Sequence, residues 1–73
     1  MKTKKLEAGV YEVTTDAETY LVRREGGEDG IPIYWNIFQM NGRYADAMNT
    51  FCAAKWLIGQ WETHKGWFPS RSH

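Results

Sequence analysis

The dipeptide Asn41-Gly42, set between an aromatic-rich run and an amphipathic run, constrains this chain more than any other feature. Both residues tolerate positive φ, which a two-residue type I′ turn needs at its two central positions, so a β-hairpin is expected here. Ahead of it, Ile31 to Met40 (IPIYWNIFQM) is almost wholly apolar or aromatic, the composition strands favour. Alternation places Ile31, Ile33, Trp35 and Ile37 on one face, and Tyr34, Asn36, Phe38 and Met40 on the other. After it, Arg43 to Ala47 is short, with Tyr44 its one large side chain, which suits a brief edge strand.

A helix follows. Asn49 or Thr50 can cap its free N–H groups, and no Pro or Gly interrupts the run before Gly59. Phe51, Ala54, Leu57, Ile58 and Trp61 recur at spacings of three and four and therefore share a face, with Trp56 at its margin. Lys55, Gln60 and Glu62 fall on the polar side, and the helix should end around Thr63 to Lys65. Gly59 inside the helix either loosens its last turn or permits a close approach.

Upstream, Val10–Thr15 and Thr19–Glu25 read as two strands of a meander joined by a tight turn at Asp16-Ala17-Glu18. Residues 26–30 (GGEDG) read as a flexible, solvated loop. It lacks the lysine and the following helix of a phosphate-binding loop, and it lacks the oxygen count of a calcium site. Met1 to Glu7, with Lys2, Lys4 and Lys5, reads as a flexible basic start. The expected organisation is a flexible N-terminus over 1–8, one domain over 9–65 and an aromatic tail over 66–73. The expected fold is α+β, a three- to four-stranded antiparallel sheet with one C-terminal helix packed on one face.

At 73 residues the chain is near the lower limit for folding without staples, and its eleven aromatic rings are an efficient way to build a small core. Nine basic and nine acidic residues cancel, which disfavours a general nucleic-acid binder, since phosphate contacts call for excess positive charge. One cysteine excludes an intramolecular disulfide and is consistent with a reducing compartment. With no apolar run long enough for a signal peptide or a membrane span, a soluble cytoplasmic protein that avoids membranes is expected.

No catalytic constellation stands out. Cys52 and His64 would lie roughly 18 Å apart along one helix, too far for a thiol–imidazole dyad or a shared zinc ion. Cys52 is therefore expected to be a small buried hydrophobe, with no metal or cofactor called for and no enzymatic activity expected. Binding residues remain. One helix covers one sheet face, which leaves Tyr34, Phe38 and Met40 to be covered by the tail (GWFPS, 66–70) or by a partner, with Trp67 and Phe68 as further binding rings. The partner would be another protein or a second copy. The alternative is DNA read through the sheet by Arg23, Arg24 and Arg43.

The outline, with Trp35, Gly42, Thr50-Phe51 and Ala53-Ala54 in place, resembles the plant ethylene-response type DNA-binding domain and the related integrase-arm domains. Those families use the open face of their sheet on DNA, but this chain lacks their dense strand arginines and tryptophans, so no contact residue carries over. Gly9-Val10-Tyr11-Glu12-Val13, Tyr20-Leu21-Val22-Arg23-Arg24, Trp35, Gly42-Arg43-Tyr44, Thr50-Phe51 and Ala53-Ala54 together resemble small accessory proteins of actinobacterial phages. That resemblance implies a phage protein acting in the host cytoplasm by binding a host component, or another phage protein.

Overall fold

The computed structural model describes residues 1–64. Five strands, β1 (Lys2–Glu7), β2 (Val10–Thr14), β3 (Thr19–Glu25), β4 (Tyr34–Gln39) and β5 (Tyr44–Met48), precede one helix, α1 (Phe51–Thr63). The strands form a single sheet in the order β1-β2-β3-β4-β5, every neighbouring pair antiparallel. The class is α+β, and the sheet has five strands where three to four were expected.

The added strand is β1. Its sequence, KTKKLE, has no apolar alternation, and all six residues are exposed, so periodicity gives no sign of a strand. Backbone pairing with β2 holds it, from Lys2 opposite Thr14 to Glu7 opposite Val10, across the two-residue link Ala8-Gly9. Lysines suit an outermost strand, because charge there discourages further pairing.

Two turns depart from their expected form. Asn41 has no positive φ; only Gly42 does, at 92°. The Gln39 carbonyl accepts from Gly42 N–H and the Gln39 N–H donates to the Arg43 carbonyl, both at 2.8 Å, which makes a three-residue loop closed by a left-handed glycine. The Asn41 side-chain oxygen accepts from Arg43 N–H at 2.8 Å, and so satisfies the backbone from outside the ladder. Inside the segment read as a plain loop, Asp29-Gly30 has positive φ at both central positions of a turn, at 34° and 80°, and Gly26-Gly27 before it is also left-handed. There Ile31 N–H donates to the Glu28 carbonyl at 2.6 Å and Gly27 N–H to the Ile31 carbonyl at 2.8 Å, a hydrogen-bonded excursion rather than a structureless link. It takes Ile31 and Ile33 out of the sheet. Both are exposed, and β4 starts only at Tyr34, past Pro32, which has no N–H to give a ladder.

Val13, Tyr20, Val22 and Ile37 from the sheet meet Ala54, Ile58 and Trp61 from α1 in one buried cluster, with Trp35, Ala45, Met48, Phe51 and Leu57 packed around it. The helical stripe is the expected one, and Trp56 lies outside it, 57% exposed. Thr50 caps α1, its hydroxyl accepting from Ala53 N–H at 3.0 Å. Thr15 organises the β2–β3 turn. Its hydroxyl donates to the Glu18 carbonyl and accepts from Glu18 N–H, each at 3.0 Å. Burial, and secondarily the nearby Glu18 and Glu62 carboxylates, raise the Tyr20 phenol well above its ordinary pKa.

Candidate functional site: the open face of the sheet

Because α1 packs on the side of Val13, Val22 and Ile37, the alternate residues of the same strands form the opposite face. Register assembles them into rows. Lys4, Glu12, Leu21, Phe38 and Tyr44 stand side by side across all five strands. The next row holds Val10, Arg23, Asn36 and Ala47, and beyond it Glu25 faces Tyr34. The β1–β2 half of this face is polar and charged. The β3–β5 half carries the apolar and aromatic side chains Leu21, Tyr34, Phe38 and Tyr44, set around Arg23, Glu25 and Asn36.

That apolar half has defined geometry. The Phe38 and Tyr44 rings meet edge to face at 5.9 Å, across the register shift that places them opposite one another. The Arg23 guanidinium carbon lies 5.7 Å from the Phe38 centroid, and one of its nitrogens is 3.8 Å from a Glu25 carboxylate oxygen. Both side chains of that ion pair are 49% exposed, so it adds little to stability and mainly holds Arg23 along the face. Leu21, Arg23, Phe38, Gln39, Met40 and Gly42 line a shallow concavity of about 280 Å³. Met40 and Tyr44 are more than half exposed, and Tyr34 is close to half.

Of the five residues expected to bind protein, Tyr34 and Phe38 lie on the face away from the helix, and Met40, in the adjoining turn, lines the concavity beside Phe38. Trp67 and Phe68 lie outside the described residues. Leu21 and Tyr44 share that face with Phe38, a placement legible in the sequence. Leu21 alternates with the buried Tyr20 and Val22, and Tyr44 follows the turn that returns it beside Phe38.

The three arginines do not gather. Arg23 lies on the open face opposite Asn36, whereas Arg24, its neighbour in an extended strand, faces the helix side opposite Trp35. Arg43 is exposed in the β4–β5 turn. Strand alternation alone puts Arg23 and Arg24 on opposite faces of the sheet.

Cys52 is exposed rather than buried, since it sits one residue past Phe51 and is turned off the packed stripe. His64 caps the far end of the same helix. Among the described residues no group of three or more His, Cys, Asp or Glu stands close enough to hold a metal ion. Among them, too, no helix is long and apolar enough to cross a membrane. Comparison with known proteins finds no matching family, no matching curated relative and no matching solved structure.

Proposed function

We propose that the chain is a small, non-enzymatic binding module that engages another protein through the apolar half of its open sheet face. The observation that carries this reading is the placement of Leu21, Tyr34, Phe38 and Tyr44 together on one face, with Met40 in the adjoining turn and α1 on the other face. Exposed aromatic and methionine side chains in one patch are typical of protein interfaces, and the charged β1–β2 half supplies a polar rim beside them. Arg23, held over Phe38, is the anchor for an acidic group on the partner. Trp67 and Phe68 belong to the same proposal as further contact rings. The resemblance to actinobacterial phage accessory proteins names the partner class as a host protein met in the host cytoplasm.

The test compares the wild-type chain with Phe38→Ser/Met40→Ser/Tyr44→Ser as immobilised baits, alongside sedimentation velocity of each. The reading expects the variant to lose its captured protein, or its self-association if the partner is a second copy. Identical capture and identical sedimentation would remove the open face from the function. A separate Trp67→Ala/Phe68→Ala variant isolates the tail.

A further inference from the structure

A second cluster, on the helix side, is left unused by that reading and differs from it in chemistry. The rings of Tyr11, Trp35 and Phe51 converge where α1 begins, with centroids 4.4 Å apart for Tyr11 and Phe51, 5.1 Å for Trp35 and Phe51, and 6.0 Å for Tyr11 and Trp35. All three rings are only partly buried, unlike Tyr20 and Trp61 near the other end of the helix.

Three cations border these rings. Lys55, one helical turn beyond Phe51, holds its Nζ 5.1 Å from that ring's centroid. Lys5 is the cross-strand partner of Tyr11, and Arg24 is the cross-strand partner of Trp35. Directly opposed residues share a face, with Cβ atoms about 4.5–5.5 Å apart, so both cations lie on the side of their rings. Among the strand acids, Glu12 and Glu25 alternate to the open face and Glu7 pairs with Val10 there, whereas Asp46 stands opposite Ile37 in the outermost strand β5, three strands away from Tyr11. The acids of the Glu28-Asp29 turn lie in the β3–β4 excursion past this end of the sheet, and α1 has no acidic residue in its first turn. Among the described residues none of Lys5, Arg24 and Lys55 is in an ion pair; the Arg23–Glu25 pair is on the opposite face.

A chain of zero net charge has thus placed three cations around partly buried aromatic rings. The ligand that matches both features carries spaced anions and flat unsaturated rings on a pliable backbone. We propose that this helix-side cluster binds single-stranded nucleic acid. Phosphates meet Lys5, Arg24 and Lys55, and a base stacks against Tyr11 or Trp35, a contact that tolerates any base because every base has a π-face. A duplex hides its base faces in the stack and offers this cluster only phosphates. The site shares none of its rings with the open face, so the two readings stand or fall separately.

The test is a fluorescence-anisotropy titration of labelled oligothymidine, about 12 nucleotides long, with the full chain at several salt concentrations. Three phosphate contacts predict a log–log salt slope of about −2, hence binding about 20-fold weaker at about 200 mM than at about 50 mM salt. Lys5→Gln, Arg24→Gln and Lys55→Gln should each flatten the slope by about 0.7, whereas Arg23→Gln/Arg43→Gln should leave affinity unchanged. Tyr11→Leu should weaken binding without changing the slope, with circular dichroism confirming that the variant stays folded. The proposal is overturned by no binding at low salt, by binding that survives the triple glutamine variant, by loss of binding in the Arg23/Arg43 variant, or by a duplex of equal length binding as tightly.

Discussion

The same substitution, glycine to alanine, should change stability in opposite directions at Gly59 and Gly42. Gly59 lies inside α1 and has no positive φ, and a Cβ built there meets only the terminal methyl of Met1 at 3.6 Å, an ordinary van der Waals contact. Glycine at such a position is less stable than alanine by about 0.5–1 kcal/mol, because it loses more backbone freedom on folding. Nothing in the folded state offsets that gain, so Gly59→Ala should stabilise the chain by about 0.5–1 kcal/mol. At Gly42 a Cβ also meets nothing within 4 Å, so space does not distinguish the two sites. The distinction is φ, at 92°, where an L-residue is strained by about 1–3 kcal/mol.

Thermal melts followed by far-ultraviolet circular dichroism separate these outcomes. For a domain of this size about 1 kcal/mol moves Tm by about 4–8 °C, so Gly59→Ala should raise Tm by a few degrees and Gly42→Ala should lower it by at least as much. Urea titration should show both effects in the midpoint with an unchanged slope, since neither alters the surface exposed on unfolding. A fall in Tm for Gly59→Ala would show that α1 needs a bare backbone beside Met1, and would refute the packing described there. A neutral Gly42→Ala would refute the left-handed closure of the β4–β5 loop.

Other expectations follow from the core and the caps. Ile58→Ala removes a fully buried side chain at the centre of the helix–sheet contact and should cost about 2–5 kcal/mol, measured by urea unfolding. Thr50→Ala deletes the hydroxyl that accepts from Ala53 N–H and should cost about 0.5–2 kcal/mol in the same assay. Tyr20 gives a pH dependence whose sign is fixed by its raised phenol pKa. The unfolded chain releases this proton near its ordinary value of about 10 while the folded chain keeps it, so the contribution to stability is complete below that pH and falls above it. The slope reaches at most about 1.4 kcal/mol per pH unit, and Tyr20→Phe should flatten the alkaline arm of a stability–pH profile.

The elements with strong periodic signals were legible, and those held by backbone pairing alone were not. α1 announces itself through Phe51, Ala54, Leu57, Ile58 and Trp61, because a helix facing a sheet must repeat its apolar contact every three to four residues. β1 makes no such demand. α1 buries none of its six side chains, so KTKKLE meets no packing requirement, and only the ladder to β2 makes it a strand. The turns show the same limit. Asn-Gly and Asp-Gly both tolerate the conformation, and the local sequence does not say which pair adopts it. Hydrogen-bonding around Glu28 and Ile31 puts it at Asp29-Gly30, whereas the side chain of Asn41 serves the backbone in another way.

The two candidate surfaces follow from a single strand rule applied to β3. Leu21, Arg23 and Glu25 go to one side and Tyr20, Val22 and Arg24 to the other, so the adjacent arginines serve different neighbourhoods. Arg23 finds Phe38 and Glu25, a setting that suits an apolar interface with one acidic contact. Arg24 finds Trp35, in the row next to that of Lys5 and Tyr11, where positive charge accumulates around rings. An arginine count alone treats the two as one motif, and zero net charge argues against the motif as a whole. Once the strand is placed, the charge balance of the whole chain stops being informative. What decides the chemistry of each face is which acids alternate with each cation, and Glu25 alternates toward Arg23 and away from Arg24.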